Sequence, residues 1–146
     1  MSYNPKQFKA LVTKILKAVP MENFYSEAAV YLLLGTAAQE STFGTYLRQI
    51  TGPARGCFQM EGATFNWLKE KYKGLMPELA QWDADDMEWN LALAIIMCRL
   101  KYMSCPGALP TELVGWAAYW KKYYNTPLGA GTEMEFIRNF KRFVTV

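Results

Sequence analysis

Apolar residues recur at three- and four-residue steps along most of the chain, and the residues between these runs mark where helices start and stop. Asn4 can cap a first helix and Pro5 suits its first position. Phe8, Leu11, Val12, Ile15, Leu16 and Val19 then share one face, with Lys6, Lys9, Lys14 and Lys17 mostly opposite. This reads as a docked surface helix, although a basic amphipathic helix can also lie on a membrane. Ser26 can cap a second helix that runs to about Gln39. That helix is apolar nearly all round, which predicts a central, buried position. Gly35 inside it weakens the helix and points to close packing.

From Ser41 to Arg55 the glycines, Pro53 and polar residues predict a loop. The short "GCFQM", Gly56 to Met60, is expected to form a strand, and helical spacing returns at Phe65, Leu68 and Tyr72. "DADDMEW" is expected to open the next helix, its carboxylates at the positive end of the helix dipole. Leu91, Ile95, Ile96, Met97 and Leu100 make this a second core helix. Thr111 can cap a helix through Val114, Trp116, Ala117 and Trp120. "TEME", Thr132 to Glu135, has the form of a capping box before Phe136, Ile137, Phe140 and Phe143. No repeat, low-complexity tract or linker divides the chain. The expectation is one mainly α domain over residues 1–146, with a small β-element between helices.

Composition narrows the chemistry. Hydrophobic residues make up 51% of the chain, enough for a full core. Aromatics reach 15% with five Trp, which suits sugar-binding clefts and ordinary cores alike. A net charge of +3 mildly favours an anionic partner and is far from a nucleic-acid footprint. The chain has no histidine, which removes Ser-His-Asp and Cys-His catalysis and His-ligated zinc. Cys57, Cys98 and Cys105 form no CxxC pair, and an odd count cannot close a full disulfide framework. Free thiols suit folding in a reducing compartment. No metal or cofactor is expected, and no signal peptide or membrane span is read.

One carboxylate is singled out by position. "LLLGTAAQESTFG", Leu32 to Gly44, drives an apolar helix directly into Glu40. Apolar surroundings and the carbonyl end of a helix both disfavour the charged form. A neutral carboxylic acid at working pH can protonate a leaving oxygen. The plainer reading is a solvated Glu at a helix end.

The residues around Glu40 add a pattern. Glu40-Ser41 ends a buried helix, Gly56-x-x-Gln59 follows a loop, and Ala63-Thr64 opens the next helix. Asp86 and Asn90 then fit an Asp-x-x-x-Asn helix start, and Ala117-Ala118-Tyr119 follows. In order and spacing, from about Ser26 to Asn125, this resembles the lytic transglycosylases and goose-type lysozymes of the lysozyme superfamily. The resemblance implies a lysozyme-like fold and cleavage of the β-1,4 bond between N-acetylmuramic acid and N-acetylglucosamine in peptidoglycan glycan strands. It implies Glu40 as the single catalytic acid, Ser41 and Gln59 lining the cleft, and Tyr119 hydrogen-bonded to the Glu40 carboxyl. The pattern departs after Tyr119, where the family's Asn is replaced by Trp120. Tyr124-Asn125 is a second candidate that supplies the Tyr-Asn pair instead, and either tyrosine can be the partner of Glu40.

Three outcomes follow. With one carboxylate, the muramic acid 6-hydroxyl attacks and a 1,6-anhydro product forms, as in a lytic transglycosylase. An inverting lysozyme needs a second carboxylate roughly 6.5–9.5 Å away. Glu61, beside the Gly-x-x-Gln element, is the candidate, and it also reads as a first-turn residue favoured by the helix dipole. A lysozyme-like domain that only binds the wall, or a membrane-active helical protein built on the basic first helix, are the non-catalytic readings. A small wall-degrading domain with free thiols and no leader fits a bacteriophage, as a virion-carried enzyme among other virion proteins or as an endolysin.

Overall fold

The computed structural model describes residues 1–144, and these are mainly helical. Six α-helices run in chain order: α1 (Pro5–Ala18), α2 (Glu27–Ser41), α3 (Gly62–Tyr72), α4 (Leu91–Met103), α5 (Leu113–Tyr119) and α6 (Glu133–Phe143). Two 3₁₀ turns, Pro77–Gln81 and Ala84–Glu88, lie between α3 and α4, and a π-helical turn, Trp120–Asn125, extends α5.

The caps explain most of the starts. The side chains of Asn4, Ser26 and Asn90 accept hydrogen bonds from the backbone N–H groups of Gln7, Ala29 and Leu93 at the starts of α1, α2 and α4. α2 is the central element and packs against α1, α4, α5 and α6. Its apolar residues Ala29, Val30, Leu32, Leu33, Leu34, Ala37 and Ala38 are all buried, as its unbroken hydrophobicity predicts. Gly35 faces α6 so closely that a Cβ there would overlap the Phe136 ring. Buried Thr36 donates to the Leu32 carbonyl at 2.7 Å and shares a 2.7 Å hydrogen bond with the Tyr102 hydroxyl, tying α2 to α4. α1 docks on α2 and α4 through Phe8, Val12 and Leu16, leaving Lys6, Lys14 and Lys17 in solvent. Buried Arg99 of α4 donates to the carbonyls of Phe24 and Asn23, holding the turn before α2.

Four expectations need correction. No strand forms among the described residues. Gly56–Met60 is a tight turn, closed by isolated bridges from Arg55 to Arg48 and to Met60. Gly56 and Gln59 adopt φ of +78° and +49°, a left-handed geometry incompatible with an extended strand. "DADDMEW" does not open α4. Asp83 and Asp86 form a capping box around the separate 3₁₀ turn, and Asn90 begins α4 afresh. Thr111 caps nothing; Glu112 stands at the cap position of α5 without a side-chain bond. At α6, the Thr132 hydroxyl accepts from the Glu135 N–H and donates to its carboxylate, so the return bond goes to the hydroxyl instead of the backbone. Among the described residues no helix is long and apolar enough to cross a membrane.

Candidate active site

α2 ends by delivering Glu40 to the wall of a cleft of about 560 Å³. The end of the helix is set by Thr42 and Phe43, both in the left-handed conformation, with the Phe43 N–H closing back on the Ala37 carbonyl at 3.0 Å. The opposite wall is the turn that carries Gln59 and Met60, followed by Glu61 and Thr64 at the start of α3. Lys101 from α4, and Tyr124 and Asn125 from the π-helical turn, complete it. The turn bearing Gln59 is held from behind: Arg48 makes a bidentate pair with Glu88, and Arg55 reaches Glu88 and Asp85 at 3.3 Å.

Burial pushes the Glu40 carboxyl up from 4.5 to about 7. One interaction opposes that rise: the Trp120 indole N–H donates to Glu40 Oε2 at 2.9 Å and favours the ionised form. No other hydrogen bond reaches this carboxyl from the described residues, so Oε1 is left to the cleft. At neutral pH the group is therefore divided between acid and base forms, the condition in which one carboxyl can give a proton and take one back.

The expected site residues divide. Glu40, Gln59, Glu61, Tyr124 and Asn125 come together in the one cleft. Gln59 turns its side-chain N–H onto the Gly56 carbonyl at 2.8 Å, which leaves its amide oxygen as an acceptor. Asn125 accepts from the Lys121 ammonium at 2.7 Å, and the same ammonium reaches the Gly129 carbonyl. Glu61 is exposed and stands at the cap position of α3, one residue before the first turn, without making a cap bond.

Ser41 and Tyr119 are not where they were expected. Ser41 is fully buried, donating to the Ala37 carbonyl at 3.0 Å and accepting from the Gly44 N–H at 2.8 Å, so it shapes the chain reversal after α2. Tyr119 is buried against Tyr102 and Tyr123, and its hydroxyl donates to the Pro106 carbonyl at 3.2 Å. The Tyr124 hydroxyl donates to the Phe58 carbonyl at 2.7 Å, clasping the Gln59 turn. Neither tyrosine bonds to Glu40; Trp120 does. The sequence carried one signal for this, since Trp120 occupies the slot after Tyr119 where the family pattern has a polar residue. Lys101 carried no signal at all.

A second cavity of about 630 Å³, between the end of α1 and α4, is lined by apolar side chains, with Glu22 and Glu78 the charged groups among the described residues that line it. It lacks the convergent polar groups that a reaction needs. Among the described residues no three His, Cys, Asp or Glu side chains gather as a metal site. Comparison with protein families, with curated proteins and with solved structures found no match for the chain.

Proposed function

We propose that the protein cleaves peptidoglycan glycan strands as a lytic transglycosylase on a lysozyme-like helical fold, with Glu40 as acid and then base. In this reading the Glu40 acid protonates the oxygen between N-acetylmuramic acid and N-acetylglucosamine, and the bond from that oxygen to the muramic C1 breaks. The muramic 6-hydroxyl then bonds to C1 and returns its proton to the Glu40 carboxylate. The product carries a 1,6-anhydro end and no water is consumed. Gln59 and Asn125 offer amide groups to the sugar or its N-acetyl group, and Lys101 a cation.

The observation that carries the reading is the half-buried Glu40 carboxyl, poised near 7 in a polar cleft beside the residues whose order resembles that family. A second reading has its own support. Exposed Glu61 lines the same cleft, and a carboxylate there suits a water-activating base of an inverting lysozyme. The setting is the bacterial cell wall, reached as a phage virion or lysis protein. Mass spectrometry of muropeptides released from purified peptidoglycan tests all of this. Anhydro ends are expected. Reducing ends favour the hydrolase, and no released products leave only a wall-binding or structural domain.

A further inference from the structure

We propose that Trp120 is the positioning residue of this cleft: its indole N–H holds one oxygen of Glu40 and so fixes the other as the oxygen that exchanges protons with substrate. The inference rests on the acid role of Glu40 and adds a part to it that the family pattern does not contain.

The argument begins with donor chemistry. An indole N–H only donates, so Oε2, 2.9 Å away, is the accepting oxygen, and the bond is available to both protonation states of the carboxyl. In the acid form the carbonyl oxygen is the stronger acceptor, so the indole bond favours Oε2 as carbonyl and the proton on Oε1. A tyrosine hydroxyl at this position could donate or accept and would leave either oxygen free to carry the proton. The indole also does not titrate in the working range, so its hold is constant while Glu40 cycles.

Packing makes the hold rigid. The indole is fully buried and lies on the Phe136 ring at 5.4 Å between centroids. Phe136 is itself pressed against Gly35 of α2, the helix that carries Glu40. On another side, a Cβ at Gly131 would stand 2.6 Å from the indole Cη2, so the chain after the π-helical turn closes directly on the ring. The π-helical turn then presents two side chains to the cleft walls, Trp120 to the acid and Tyr124 to the turn bearing Gln59. Such wide turns are often found at functional sites.

The test replaces the donor and keeps the ring. Site-specific incorporation of 3-benzothienylalanine at position 120 exchanges the N–H for sulfur at nearly the same shape, and Trp120→Phe is the simpler companion. Two readouts are needed. Carbon-13 NMR of labelled Glu side chains follows the Glu40 titration directly, and muropeptide release follows activity against pH. The titratable groups that feel the Glu40 charge are Cys98 and Tyr102 of α4 and Tyr124 of the π-helical turn, and Lys101 and Glu61 line the same cleft. They are the same in native and variant proteins. Because the indole bond favours the charged form, losing it should raise the Glu40 midpoint, and the alkaline limb of activity should move up with it by about half a unit or more. kcat should fall about tenfold with KM little changed. A folded variant whose Glu40 titration and alkaline limb coincide with the native ones would overturn the proposal. If the native protein releases no muropeptides, the acid role of Glu40 fails by itself, while the titration still decides whether the indole holds that carboxyl.

Discussion

Glu40 sits where a carboxylate is a burden to folding, and this makes its burial measurable without any substrate. Its folded-state pKa near 7 lies above the ordinary value of 4.5. Between those two pH values the folded chain keeps a proton that the unfolded chain has released, so stability falls as pH rises through this window. Above pH 7 the full burden stands, on the order of 3 kcal/mol. Glu40→Gln keeps the shape and an acceptor for the Trp120 indole while removing the charge. The variant should match the native protein near pH 4 and become the more stable of the two above pH 7, by up to roughly 3 kcal/mol. Urea unfolding at a series of pH values reads this directly, and a stability difference that does not vary with pH would refute the buried-acid assignment. Under the proposed function the same substitution should lower wall clearing by orders of magnitude. Glu40 was legible in the sequence because its signal is local, an apolar helix ending on a charge. Trp120 was marked only by its odd place after Tyr119 and its role was not, because its meeting with Glu40 spans 80 positions and depends on a π-helical register that no residue spacing reveals.

At the scale of elements, the same division between local and distant causes holds. α1, α2, α4 and α6 begin where capping side chains precede apolar spacing, and both signals lie within a few residues. Two of the misread stretches depend on what lies across the fold. The carboxylates of Asp83 to Glu88 suit the start of any helical turn, so they could not say which turn they start. The turn at Gly56–Met60 depends on Gln59 accepting a left-handed backbone, which its side chain does not advertise. Gly56 is the better-marked half of that turn. Its φ of +78° disfavours any side chain, and a Cβ there would stand 2.8 Å from the Met87 carbonyl oxygen of the second 3₁₀ turn. Gly56→Ala should therefore cost about 2 kcal/mol in chemical denaturation, combining the left-handed penalty with the backbone clash. Under the proposed function, activity in the surviving folded protein should also fall, because Gln59 rides on the same turn. A variant of native stability would mean that the turn and the 3₁₀ segment are not packed together in solution.

Across the whole molecule, the cleft is bounded by parts of the chain far apart in sequence: the end of α2, the turn before α3, the end of α4 and the π-helical turn. This arrangement brings two carboxylates to one space in opposite settings, Glu40 half-buried under an indole and Glu61 exposed at the cap position of α3. Carboxyl groups in contrasting environments are the mark of an acid and its partner in many glycosidases, which is the case for an inverting hydrolase. The counter-argument is that a negative side chain at a helix N-terminus is favoured by the dipole whatever the chemistry. Glu61→Gln separates the two, and cleanly, because Glu61 makes no cap hydrogen bond whose loss would confuse the result. The fold should lose no more than about 0.5 kcal/mol, as exposed positions generally do. If the muramic 6-hydroxyl is the nucleophile, the variant should release muropeptides within about twofold of the native rate, all with anhydro ends. That is the expected result under the proposed function, in which the attacking hydroxyl belongs to the substrate and Glu40 receives its proton. Reducing ends from the native protein, lost in folded Glu61→Gln, would instead make Glu61 the base that activates water and the protein an inverting lysozyme.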